Sequence, residues 1–100
     1  MNPHPSLDVL LHAITDPTRR RILQALKPKK GKAAAKEHER GLCASDIEAR
    51  VRLSQPTISH HMAILEKAGL VASTKQSQWR WYRRNESALR DFAKRLRETL

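Results

Sequence analysis

One hundred residues carry 20 Lys and Arg against 10 Asp and Glu, a formal charge of +10; that excess points to a polyanion partner, nucleic acid or an acidic membrane surface. A chain this short fits one domain, read here as residues 1–100, and its 39% hydrophobic content excludes disorder while leaving a marginal core that a second copy would complete. No run nears the roughly 18 apolar residues of a membrane span, and one cysteine, Cys43, excludes an intrachain disulfide; with an N-terminus lacking signal-peptide character, the expected compartment is the cytoplasm.

Ser6 caps a first helix whose Leu7, Leu10, Leu11 and Ile14 fall on one stripe. Asp16 and Pro17 restart the chain as cap and first helical residue of a second helix, which turns Ile22, Leu23 and Leu26 inward and stops before Pro28. Residues 27–41 then change composition, holding six basic side chains and almost nothing to bury; they read as a basic loop insertion, either a plain solvated loop or an arm for phosphates. Ser45-Asp46-Ile47-Glu48 has the pattern of a capping box for a short third helix, with Ile47 and Val51 facing in.

After a tight turn at Arg52-Leu53, Ser54 caps a fourth helix that runs to Ala68 and is closed by Gly69. Two helices joined so closely form a helix-turn-helix. Two β-prone runs follow, 70–74 and 79–83, separated by the polar stretch Lys75-Gln76-Ser77-Gln78. They read as a hairpin, the wing, although no Gly or Asn-Gly fixes its turn. Asn85 caps a last helix with Leu89, Phe92, Leu96 and Leu100 on one stripe. The expected fold is mainly α, five helices with a small β-hairpin wing. The stripes of the first and last helices, too large for so small a core, are the expected homodimer interface.

The fourth helix is the informative element. With Ile58 at the centre of its buried face, Met62 and Leu65 lie beside it, while Gln55, Pro56, Thr57 and His60 fall outside and Ser59 lies on a flank. That outer edge offers amide, hydroxyl and imidazole groups without charge, which suits base edges in a major groove. Lys67, Arg52, Arg50 and the wing's Lys75, Gln78 and Arg80 surround it as contacts for phosphates, with Arg83 and Arg84 at the wing's base. The expected partner is double-stranded DNA.

Leu53-Ser-Gln-Pro-Thr-Ile-Ser-His-His-Met-Ala-Ile-Leu-Glu-Lys-Ala-Gly-Leu-Val71 resembles the recognition-helix signature of the ArsR/SmtB family of bacterial repressors. Asp16-Pro-Thr-Arg-Arg-Arg-Ile-Leu23 resembles that family's second-helix motif, and Gln78-Trp-Arg-Trp-Tyr-Arg83 is similar to its wing. The resemblance implies a winged helix-turn-helix repressor, dimeric through its first and last helices. It also implies binding to an imperfect inverted-repeat operator and release by an effector, a small molecule or a redox signal.

Many such repressors sense metals, and the matching positions can be read off. The arsenic-type site resembles Leu-Cys-Val-Cys-Asp-Leu, where this chain has Leu42-Cys43-Ala44-Ser45-Asp46-Ile47, so Ser45 replaces a thiolate that soft metals need. The zinc-type site needs a His pair on the last helix, and residues 85–100 contain no histidine. Asp8 and His12, one turn apart on the first helix, could share a metal across a dimer, but a surface pair is the preferred reading. No metal or other cofactor is expected. Cys43 is a candidate redox residue, its position at a helix N-terminus near Arg40 being one that activates thiols; the plainer and preferred reading is a small half-buried hydrophobe.

No Gly-rich phosphate loop or paired carboxylates in an apolar setting support an enzyme, with three glycines in all. Two rivals remain. One is a non-specific architectural DNA-binding protein, favoured by the Lys-rich 27–41 segment and opposed by the uncharged outer edge of the fourth helix. The other is a module that binds a different protein through its apolar terminal helices.

Overall fold

The computed structural model describes residues 5–28 and 41–100. The 27–41 insertion falls outside the described residues except for Lys27, Pro28 and Gly41. The order of elements is α1 (Leu7–Thr15), α2 (Pro17–Ala25), β1 (Leu42–Cys43), α3 (Ala44–Val51), α4 (Gln55–Lys67), β2 (Val71–Gln76), β3 (Trp79–Arg84) and α5 (Glu86–Thr99). Five helices and one three-stranded sheet thus stand among the described residues.

Local chemistry sets most boundaries. Ser6 Oγ accepts from the Val9 amide at 3.2 Å and Asp16 Oδ1 from the Thr18 amide at 2.7 Å, so α1 and α2 begin where side chains satisfy orphan amides. Asn85 Oδ1 does the same for Ala88 at the start of α5. Gly69, at φ +75°, ends α4, its amide donating to the Glu66 carbonyl at 2.9 Å and the Leu70 amide to the Leu65 carbonyl at 3.1 Å.

The start of α3 differs from the expected capping box. The helix begins at Ala44, and its cap residue is Cys43, whose amide donates to Asp46 Oδ2 at 3.2 Å. Asp46 thus closes the helix from its third position, and Ser45 lies inside the first turn. At α4 the cap residue is Ser54 as expected, but its hydroxyl meets the Thr57 hydroxyl at 2.9 Å rather than an amide.

Helix ends are closed by arginines. Arg19 and Arg20 donate to carbonyls of the last turns of α1, Arg50 and Arg84 to those of α2, and Arg21 to the Val51 carbonyl that ends α3. Arg84 also pairs with Glu86, its Nε donating at 2.6 Å. Part of the basic excess is therefore structural.

The core draws on every helix: Leu10 and Ala13, Ile22 and Leu23, Ile47 and Val51, Ile58, Met62 and Leu65, and Phe92. Two of the residues expected at a dimer interface, Leu10 and Phe92, are buried within the subunit itself. The remaining six lie nearer the surface: Leu7, Ile14, Leu89 and Leu96 half-buried, Leu11 37% exposed and Leu100 97%. Val9, 37% exposed, joins them on α1.

The sheet is antiparallel in the order β1-β3-β2. Hairpin strands are longer than the sequence suggests: Lys75 and Gln76 pair with Arg80 and Trp79, leaving only Ser77 and Gln78 as the loop. Ser77 takes the positive φ of +57° that this short connection needs. β1 was not expected at all. It pairs Leu42 with Tyr82 and Cys43 with Trp81, and Gly41, read as part of the insertion, is buried at its start with φ +86°.

Candidate nucleic-acid interface

Helix α4 packs one face into the core and leaves the other bare. Ile58, His61, Met62 and Leu65 are buried, whereas Gln55, Pro56, Thr57, Ser59, His60, Ala63 and Lys67 are exposed. The structure therefore brings the uncharged groups of the first two turns together on one unobstructed edge. α3 packs against α4, and the turn between them passes through Arg52, held at φ 59° with its side chain exposed.

The wing carries its cations as a pair. Lys75 lies directly opposite Arg80, so both project from the same face of the hairpin and both are exposed. Arg80 also donates to Ser73 Oγ at 2.9 Å. Like charges placed opposite each other disfavour the hairpin unless an anion lies between them. Gln78 is exposed in the loop. By contrast Arg50 and Arg84, also suggested as phosphate contacts, are engaged with the carbonyls of Ala25 and Leu23.

Behind the edge lies a polar cluster that periodicity alone does not reveal. Arg19 and His61 are only 5% and 9% exposed, with Arg19 Nη1 donating to His61 Nδ1 at 3.2 Å and lying 3.7 Å from Asp16 Oδ2. The single signal was the arrangement of Asp16 and Arg19 one turn apart in the second-helix motif.

The Thr18 amide, helped by the charges of His61 and Arg19, holds the Asp16 carboxyl below its ordinary value despite partial burial. Burial pushes the His61 imidazole below its ordinary 6.5; Asp16 opposes this, while Arg19 and His60 add to it. An unfolded chain then binds a proton at His61 that the folded chain resists, so stability is full above pH 6.5 and declines as the pH falls below it. Asp16 adds a loss of the same sign at lower pH, below 3.8. Urea midpoints should hold steady from about pH 8 to 7 and fall from about 6.5 to 5.

Donors for a metal are poorly matched. The Cys43 thiol, 8% exposed, faces Asp46 Oδ2 at 3.2 Å and Ser45 Oγ at 3.5 Å, a set with one soft ligand. Asp8 and His12 line a cleft of about 320 Å³ between α1 and α4, but Lys67 shares it and opposes a cation. Among the described residues no three His, Cys, Asp or Glu side chains group as metal ligands. None of the helices described is long and apolar enough to cross a membrane.

Comparison with known proteins agrees with this geometry. Residues 14–74 match a family described as "Helix-turn-helix domain". The chain is 35% identical over 79 residues to the transcriptional repressor SdpR of Bacillus subtilis, covering 79% of this chain and 76% of that protein. It is 31% identical over 93 residues to an arsenical resistance operon repressor of Staphylococcus aureus, covering 93% and 79%. An ArsR-like transcriptional regulator from Rhodococcus sp. RHA1 superposes with a TM-score of 0.71 at 27% identity, over 93% of this chain and 77% of that one. The chain belongs to the ArsR/SmtB family of winged helix-turn-helix proteins and is a DNA-binding transcription regulator, not an enzyme.

Proposed function

We propose that this protein is a homodimeric cytoplasmic repressor that reads an inverted-repeat operator with Gln55, Thr57, Ser59 and His60 of α4. Pro56 fixes the first turn of that edge. Arg52, Lys67, Lys75 and Arg80 hold phosphates, with Gln78 at the wing loop. One observation carries the reading: Ile58, Met62 and Leu65 of α4 are buried beneath an outer edge that is exposed and uncharged over its first two turns. An ordinary exposed helix face would carry Glu and Lys pairs.

Dimerisation rests on the apolar residues that α1 and α5 leave at the surface, Val9, Leu11 and Leu100 exposed with Leu7, Ile14, Leu89 and Leu96 behind them. A two-fold pair would set two reading helices about 34 Å apart, one turn of DNA. The effector is of a kind other than the arsenic-type or zinc-type metal, whose ligand positions here hold Ser45 and, over residues 85–100, no histidine.

Selection of bound duplexes from a random pool, followed by footprinting, tests this directly. It should yield a palindrome-like site preferred about 10³-fold or more over random DNA. Replacing Gln55 or His60 by Ala should then cost about 1–3 kcal/mol at that site and relax its sequence, whereas Lys75→Ala should weaken all duplexes alike. Equal behaviour of the two sets, or uniform binding of all sequences, refutes the reading and favours an architectural role.

A further inference from the structure

The reading edge of α4 stands one residue from a buried charge. Arg19 is anchored to α1, its Nε donating to the Ala13 carbonyl at 2.7 Å and its Nη2 to the His12 carbonyl at 3.0 Å, with Asp16 at 3.7 Å. Its Nη1 donates to His61 Nδ1 at 3.2 Å. A guanidinium has no acceptor and does not give up its proton, so His61 Nδ1 must present a lone pair and the ring must be the Nε2–H tautomer. The His61 ring in turn meets the ring of His60 edge-on, with centroids 5.3 Å apart and planes at 61°. His60 is exposed on the reading edge. An unbroken line of contacts therefore runs from α1 through Arg19 and His61 to His60.

We propose that Arg19 and His61 are positioning residues for the reading edge, seating His60 correctly only while His61 Nδ1 carries no proton. This rests on the operator-reading role proposed above. Among the described residues, the charged and titratable groups facing His61 are Asp16 and Arg19 from the α1–α2 side and His60 from its own helix. A proton on Nδ1 would set two donors and two positive charges against each other where water is nearly excluded. Arg19 keeps its two carbonyls and Asp16, so His61 is the partner that gives way, and His60 shifts with it. Burial, which disfavours the charged imidazole, supports the same state.

The sign of the effect separates this from direct titration at the DNA. Protonating His60 itself would add a positive charge beside phosphates and tighten binding in acid. Protonating His61 should loosen it.

Anisotropy titrations with the selected duplex at pH 7.5 and 5.5, at constant ionic strength, provide the test. Affinity should fall between the two, by at most about tenfold per subunit. His61→Leu should lose affinity at pH 7.5, and His61→Asn, whose Oδ1 stands where Nδ1 stood, should recover most of it with a flat pH profile. His60→Asn, which removes the ring that His61 seats, should lose affinity at pH 7.5 and show little further loss in acid. A flat wild-type profile, or tightening in acid that His60→Asn abolishes, overturns the proposal.

Should the His61 variants fail to fold, ¹⁵N shifts of the wild-type imidazoles decide. Nδ1 unprotonated at pH 7.5, with a titration midpoint matching the affinity profile, supports the assignment; an Nδ1–H tautomer overturns it. Failure of the operator reading would look different, as no duplex would be preferred at any pH while the ¹⁵N result stood.

Discussion

Operator binding should weaken by about four decades when monovalent salt rises from about 50 to 200 mM. Arg52 in the turn before α4, Lys67 at its end, and Lys75 and Arg80 on the wing are exposed, four cations per subunit and eight for the proposed dimer. Each phosphate they neutralise releases condensed counterions, so log affinity against log salt should have a slope of about −7. Arg19, Arg20, Arg21, Arg50 and Arg84 are engaged with helix carbonyls and should add little. Anisotropy titrations at four or five salt concentrations measure the slope. A value near −3.5 would mean a single subunit on DNA. One much steeper than −7 would mean that the six basic residues of 27–41 also engage.

The largest loss of stability from one added methyl should come from Gly41→Ala. Gly41 has φ +86°, and a Cβ there would overlap the Tyr82 carbonyl oxygen and come within 2.7 Å of Arg83 Cγ and 2.8 Å of the Tyr82 carbonyl carbon. Two penalties combine, a left-handed backbone costing about 1–2 kcal/mol and an overlap with main chain costing about 1–3. The total, about 2–5 kcal/mol, is a large part of the stability of a 100-residue domain. Relief requires β1 to part from β3, so the loss should appear in urea denaturation together with weakened amide protection at Tyr82 and Leu42. A substitution that leaves the urea midpoint unchanged would show that the Gly41–Tyr82 approach is slack.

The helices were legible because each carries its own signals. Ser6, Asp16, Asn85 and Gly69 mark ends by groups that bond the backbone locally, and Ile58, Met62 and Leu65 repeat at the helical period. The outer edge of α4 followed from that period alone. Features that depend on distant partners were not legible. β1 is two residues long, too short for any alternation, and exists through its pairing with Tyr82 and Trp81. The start of α3 was misplaced because Ser45 is the better cap by type, while Asp46 reaches back to the Cys43 amide. Charge counting could not separate Arg80, exposed on the wing, from Arg84, tied to Glu86 and Leu23. Nor could it find Arg19 and His61, whose meeting across 42 positions depends on how α2 crosses α4.

The short strand β1 has a mechanical consequence. It joins α3, the helix packed against α4, to β3 of the wing through the Leu42–Tyr82 and Cys43–Trp81 pairs. Helix and hairpin are thereby braced like the two jaws of a fixed caliper. On the proposed reading, in which α4 and the wing both hold the DNA, a duplex must adopt the width the jaws dictate, so steps outside any side chain's reach should be selected by how cheaply they narrow or bend.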